Sequence, residues 1–173
     1  VQMRVHPALI PTTSLLGHVD GVHNAVFVRG DYVGETLYYG RGAGREATAS
    51  AVVADIIDVG RNLKFSSHRR VPAFHAHEGY GTIVPMSQVD TRYYLRLQAL
   101  DRPGVLALIS GILGRANISI ASVSQKEITQ ESVPMVILTH RAREADMQHA
   151  LAEIAELDEV VETPVVIRIE DLE

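Results

Sequence analysis

Asp101-Arg-Pro-Gly-Val-Leu-Ala-Leu-Ile-Ser-Gly-Ile-Leu-Gly-Arg-Ala-Asn-Ile-Ser-Ile120 reads without a break as a strand end, a tight turn, an amphipathic helix and the start of a second strand. Pro103 and Gly104 punctuate the turn. Val105, Leu108, Ile109 and Ile112 recur at helical spacing on one face, and Gly111 and Gly114 weaken the helix toward its end. Outward from this stretch, the order from Thr91 onward is strand, helix, strand, strand, helix, strand. In the first strand Tyr93, Leu95, Leu97 and Ala99 point one way and Tyr94, Arg96 and Gln98 the other, as a sheet covered by helices on one face requires. Strands are expected at Ile118–Glu127, Pro134–His140 and Val160–Glu170. A second helix, Ala142 to Leu157, carries Met147, Ala150, Leu151 and Ile154. This is the split βαββαβ, ferredoxin-like arrangement, and the fold class is α+β.

Residues 1–64 form a different sheet-and-helix segment. Strands are expected over Val1–Ile10, Val22–Arg29 and Val33–Tyr39, the last two joined as a hairpin at Gly30-Asp31. A helix follows from Glu46 to Asn62, with Ala49, Val52, Val53, Ile56 and Val59 on one apolar face. Its alanines suit close approach to a sheet. Residues 65–91 lose this regularity and carry Ser66-Ser67, Pro72, Gly79, Gly81 and Pro85, the composition of a linker or extended arm.

Composition narrows the function classes. A hydrophobic fraction of 46% and a charged fraction of 21% belong to an ordinary globular chain with a core. The net charge of -5 argues against a general nucleic-acid binder, and the compact basic run His68-Arg69-Arg70 is short. With no cysteine, disulfides, thiolate zinc sites and thiol nucleophiles are excluded, and a cytoplasmic setting is expected. No apolar run reaches the ~20 residues that span a bilayer, so no membrane partner is expected. The chain begins at Val1 directly in strand-like alternation, which suggests the tail of a longer protein.

The second candidate for chemistry is Tyr38-Tyr-Gly-Arg-Gly-Ala-Gly-Arg-Glu-Ala47. Gly42-Ala43-Gly44 with Ala47 formally satisfies G-x-G-x-x-A, yet no second parallel strand ending in an acidic residue follows, as a dinucleotide fold demands. What remains is a corner whose glycines let backbone amides approach a ligand, at a helix N-terminus with unpaired N–H groups. Spacing alone leaves a second reading open, in which Gly40, Gly42 and Gly44 only make a tight turn and Thr48 helps to cap it.

Two resemblances carry the functional expectation. The Asp101-x-Pro-Gly104 turn with Asn117-Ile-Ser-Ile120 resembles the amino-acid-binding ACT domain. His6-Pro-Ala-Leu-Ile-Pro11, Val22-His-Asn-Ala-Val-Phe-Val-Arg-Gly-Asp31 and Tyr39-Gly-Arg-Gly-Ala-Gly44 with Thr48-Ala-Ser-Ala-Val-Val-Ala-Asp55 resemble the carboxy-terminal part of the catalytic region of homoserine dehydrogenase. The resemblance implies residues 1–64 as that catalytic and dimerisation region, 65–91 as a linker and 92–173 as an ACT regulatory domain. It implies an enzyme that interconverts L-aspartate 4-semialdehyde and L-homoserine with NADP or NAD. It places Gly44, with Gly42 and Ala43, at the cofactor, and Gly104, Asn117 and Ser119 at an amino-acid effector, threonine in particular. A homodimer or homotetramer is implied as well. The family's Rossmann domain, catalytic lysine, substrate carboxylates and monovalent-cation site have no counterpart here, since Lys64 and Lys126 are the only lysines and neither has a matching context. No catalytic residue and no hydride transfer are expected from this segment alone.

Other constellations are weaker. His75, His77 and Glu78 are zinc-ligand types that lack convincing further partners, so no metal is expected. His6 and His23 suit structural hydrogen bonding, and Ser14, His18 and Asp20 lack the elbow that exposes a nucleophilic serine. Gly104 and Asn117 also admit a structural reading, one starting and the other ending a helix. The competing class is a stand-alone ACT-type binding protein without catalysis. A third is an oligomerisation protein that pairs through an edge strand such as Val165–Ile169.

Overall fold

The computed structural model describes residues 1–67, 81–125 and 131–171. The chain divides into two compact units, Val1–Pro11 with Gly81–Glu173, and Thr12–Tyr80.

In the first unit β4 (Asp90–Leu100), β5 (Ile120–Gln125), β6 (Ser132–Thr139) and β8 (Val165–Ile169) lie in the order β8-β4-β6-β5, all antiparallel. The helices α2 (Val105–Arg115) and α3 (Glu144–Ala155) complete the ferredoxin-like pattern. Period-two alternation in β4 buries Tyr93, Leu95, Leu97 and Ala99, and β6 adds Val133, Met135 and Ile137. Against them α2 sets Val105, Ile109, Ile112 and Leu113, and α3 sets Met147, Ala150 and Ile154. Leu108, expected on that face, is exposed, because the buried stripe of α2 runs through Leu113 instead.

Two short strands extend this sheet. β7 (Ala142–Arg143) pairs with the start of β4 where the sequence suggests helix, so α3 begins two residues later than expected. β1 (Ala8–Leu9) lies parallel to β8, with Ala8 opposite Arg168 and Leu9 opposite Ile169. The expected strand Val1–Ile10 is thus realised over two residues, where β8 offers a partner. Arg4 forms an ion pair with Glu170 at 2.8 Å, and Val1 is tied to Gly81–Gln88 by Val84 N–H donating to the Val1 carbonyl at 2.9 Å. The edge expected along Val165–Ile169 is therefore occupied by β1 at its Arg168 and Ile169 end.

The second unit holds a hairpin and a helix. β2 (His23–Gly30) and β3 (Gly34–Arg41) pair antiparallel around the loop Asp31–Val33, and α1 runs from Arg45 to Lys64. These match the expected elements closely, but α1 has no buried residue. Its apolar positions Val52, Val53, Ile56 and Val59 all face solvent. Among the described residues no helix is long and apolar enough to cross a membrane.

Candidate functional site

The glycine corner lies between β3 and α1. Gly42 N–H donates to the Val22 carbonyl at 3.0 Å, and a Cβ at Gly42 would fall 1.9 Å from Asn24 Nδ2. Gly42 is thus required by packing against Asn24 on the neighbouring strand, whatever else it does. Gly44 caps α1 at φ 121, ψ 144, a region open essentially to glycine alone. No atom lies within 4 Å of where its Cβ would be, so its freedom is demanded by the backbone and not by crowding. No side chain caps the helix. Thr48 joins only through its backbone N–H, which donates to the Gly44 carbonyl at 3.0 Å, so the side-chain cap expected of Thr48 is not formed. The first N–H groups of α1 open on a shallow depression of about 170 Å³ lined by Arg41, Ala43, Gly44, Arg45, Glu46 and Ala47. Free amides, a partial positive helix end and two arginines suit a carboxamide or anionic group, and the nicotinamide dinucleotide implied by resemblance has both.

Gly104 and Asn117 sit at the two ends of α2. Gly104 holds φ 94 at the N-cap without a side-chain hydrogen bond. Asn117 has φ 58. Its N–H donates to the Gly114 carbonyl at 3.0 Å, and Ile118 N–H donates to the Leu113 carbonyl at 2.9 Å. Those two bonds define a Schellman helix end with Asn117 as the left-handed residue, and Ile118 and Leu113 make its apolar contact in the core. The structural role of Asn117 is therefore plain, and its amide remains exposed. Ser119 is one step further on, its carbonyl receiving His140 N–H at 2.8 Å. At ~1.5 Å per residue, Gly104 and Asn117 are roughly 20 Å apart along the helix. Asn117 and Ser119 share one corner and Gly104 occupies another.

The remaining candidates resolve into structural roles. The Ser14 hydroxyl accepts from Leu16 N–H at 3.2 Å and caps a short turn, and His18 Nδ1 lies 3.0 Å from the Ser14 carbonyl and not from the hydroxyl. The His23 ring stacks on Tyr39 with centroids 4.9 Å apart, and His6 Nδ1 lies 3.1 Å from the Pro7 carbonyl. His75, His77, Glu78 and the run His68–Arg70 fall outside the described residues, as does Lys126. Among the described residues no cluster of metal-ligand side chains occurs.

Comparison with known proteins finds relatives for both stretches of the chain. A family model for homoserine dehydrogenase matches residues 1–57, and one for the ACT domain matches residues 93–159. A homoserine dehydrogenase of Neisseria gonorrhoeae is 49% identical over 99% of this chain and 40% of its own length. One of Pseudomonas aeruginosa is 46% identical over 99% of this chain and 41% of its own. The crystal structure of a homoserine dehydrogenase from Thiobacillus denitrificans is 50% identical and superposes with a TM-score of 0.85, covering 99% of this chain and 39% of that one. Over nearly its whole length the chain is similar to these homoserine dehydrogenases. It spans about 40% of the length of the curated homoserine dehydrogenases it matches. Within it, Gly42, Ala43 and Gly44 lie in the stretch matched by the dehydrogenase model, and Gly104, Asn117 and Ser119 in the stretch matched by the ACT model. The match over residues 1–57 speaks against a lone sensor fused to an unrelated sheet.

One constellation in this chain escapes the sequence. Glu144, 4% exposed at the start of α3, accepts from Tyr93 Oη at 2.9 Å, Arg168 Nε at 2.8 Å and Gln148 Nε2 at 2.8 Å, and its backbone N–H donates to Val89. Burial pushes the Glu144 carboxyl up, but hydrogen bonds from Arg168, Gln148 and Tyr93 outweigh it and hold the group below its ordinary value. Burial, and then the carboxylate beside it, raise the Tyr93 phenol well above its usual range. The cluster ties α3 to β4 and β8 and so positions the helix on the sheet.

Proposed function

We propose that the chain is the carboxy-terminal portion of an NAD(P)-dependent homoserine dehydrogenase that interconverts L-aspartate 4-semialdehyde and L-homoserine in threonine and methionine biosynthesis. The observation that carries the reading is sequence agreement with homoserine dehydrogenases over 99% of the chain. In this reading residues 1–64 belong to the catalytic and dimerisation region, 65–91 link, and 92–173 regulate. The rest of the relatives' length supplies the catalytic groups and covers the apolar face of α1. These 173 residues alone then transfer no hydride. The dinucleotide, when bound, supplies the hydride; Gly44, with Gly42 and Ala43, lets backbone amides reach it. A cytoplasmic setting belongs to the same reading.

The regulatory half of the proposal is that Gly104, Asn117 and Ser119 contribute to an amino-acid site for threonine. Because α2 separates Gly104 from Asn117, a single amino acid meets both only where two chains bring opposite helix ends together, which supports a homodimer or homotetramer. Two experiments test the reading. In the longer enzyme containing this chain, Gly44→Ala forces a disfavoured backbone and should cost on the order of 100-fold in kcat/KM for the dinucleotide, as a misplacement of about 1 Å does; unchanged kinetics would remove Gly44 from the cofactor site. L-Threonine should raise the thermal midpoint of the chain, by an amount equivalent to ~2.7 kcal/mol at a hundredfold excess over its dissociation constant, with isoleucine, methionine and homoserine as controls. Asn117→Gly, which keeps the left-handed backbone and deletes the amide, should abolish that shift.

A further inference from the structure

We propose that Val1–Pro11 is a strap that couples the ferredoxin-like sheet to the chain of the second unit, with the end of β8 as the strip through which the coupling runs. The inference goes beyond the proposed function and rests on it only for the enzymatic consequence beyond Pro11.

Similarity and structure divide the chain at different places. The stretch matched by the dehydrogenase model runs over residues 1–57, yet Val1–Pro11 belongs to the first unit and the second begins at Thr12. The ACT match ends at residue 159, before β8 begins. β8 therefore lies outside that match, paired with β4 on one side and with β1 on the other. The second unit is an insertion in the first, and its N-terminal stem adds a strand to an otherwise open sheet edge.

The end of β8 is gripped from both sides. On the β4 side Thr91 Oγ1 donates to the Ile169 carbonyl at 2.9 Å, and Arg92 pairs with Asp171 at 3.1 Å. On the strap side Glu170 N–H donates to the Leu9 carbonyl at 2.9 Å. The Arg4 guanidinium spans the Glu170 carboxylate, with Nη1 2.8 Å from Oε1 and Nη2 donating to Oε2 at 3.3 Å, and His6 Nε2 stands 3.9 Å from Oε1. None of these strap contacts is core. Leu9 is 40% exposed, so the strap can leave β8 while Tyr93, Leu95 and Leu97 stay covered. A two-residue pairing held by backbone bonds and one carboxylate opens at low cost beside the core strands. The strap thus has two states, on and off β8, and a two-state element joined to both sides is what coupling requires.

Amide exchange on the 173-residue chain reads the first half of the proposal. Arg4→Gln should speed exchange of the Glu170 amide at least tenfold. Arg92→Gln, on the far side of β8, should speed the same amide at least threefold. Arg115→Gln, which breaks an ion pair with Glu153 elsewhere in the unit, should leave it unchanged. An unaltered Glu170 amide in Arg4→Gln overturns the strap, as does equal acceleration in Arg115→Gln; no response to Arg92→Gln overturns coupling through β8. Kinetics of the longer enzyme read the second half. Arg4→Gln should lower kcat/KM at least threefold at an unchanged thermal midpoint, with Arg4→Lys recovering most of the loss. A strap that opens without changing kcat/KM overturns the coupling and leaves the dehydrogenase reading in place. A parent enzyme without dehydrogenase activity overturns that reading, and the exchange results then decide the strap alone.

Discussion

α2 and α1 carry the same kind of signal and meet opposite fates. Each repeats apolar residues at helical spacing, yet Ile109 in α2 is 0% exposed and Ile56 in α1 is 65% exposed. The difference lies in what each helix is given to cover. α2 shares its unit with a sheet whose central strands β4 and β6 present alternating apolar side chains. α1, about 30 Å long at ~1.5 Å per residue, shares its unit with a two-stranded hairpin, and a lone hairpin is too small to support an independent core. Amphipathic periodicity therefore announces that a face will be covered without saying by what.

The sharpest test of that contrast is one substitution made in each helix. Ile109→Ala should destabilise the first unit by about 2–5 kcal/mol, the range for truncating a buried aliphatic side chain. Ile56→Ala in the same chain should stay within ~0.5 kcal/mol, as surface changes do. Urea unfolding followed on the isolated chain measures both. Equal costs would break the comparison and mean that α1 is already covered, by a second copy of the chain. A neutral effect here with a large one in the longer enzyme would sharpen it, because the cover would then come from the rest of the protein.

A second contrast lies within the first unit, between its apolar core and the Glu144 cluster. Arg168→Met leaves the Glu144 carboxylate buried without its cation; breaking such pairs costs about 3–5 kcal/mol. The partly solvated Arg168 head puts the expected loss at the lower end. The pH dependence follows from the direction of the Glu144 shift. Its folded carboxyl titrates below the ordinary value, so its stabilisation is fully present above the unfolded pKa of about 4.3. It is lost as pH falls through the folded value. Glu144→Gln should flatten the acid limb of the first unit's stability curve. An acid limb identical in both proteins would assign that limb to other carboxylates.

The parts of the fold that were legible are those where one local rule decides. Alternation in β4 marks Tyr93, Leu95, Leu97 and Ala99 as buried, and the hairpin of β2 and β3 follows from two strand-like runs around Gly30-Asp31. What was missed depends on partners distant in sequence. Val1–Ile10 alternates throughout, but only Ala8–Leu9 finds β8 beside it. Leu108 yields its place in the core to Leu113 through a small rotation of the apolar stripe. Tyr93, Glu144 and Arg168 lie in three separate elements, and Glu144 and Arg168 are charged residues that singly read as surface. At the candidate sites, residue types foretold the backbone: glycine at a positive φ in Gly44 and Gly104, asparagine at the left-handed end of α2. Which of these touch a ligand was not readable, since a helix end uses the same residues for capping and for binding.

That overlap can be separated by a pair of small effects at the two ends of α2. Gly104→Ala places a Cβ in a left-handed backbone, which costs roughly 1–2 kcal/mol, although nothing within 4 Å would crowd it. Asn117→Gly relieves the mild strain of a non-glycine residue in the same region, so stability should rise by a few tenths of a kcal/mol or stay level, offset by the greater entropy of the unfolded chain. Thermal unfolding of the two variants gives the structural part alone. Ligand titration on the same variants then reads whatever remains. A substantial loss of stability in Asn117→Gly would mean that the exposed amide holds the helix end through a contact of its own, and the Schellman bonds would no longer suffice to explain why asparagine stands there.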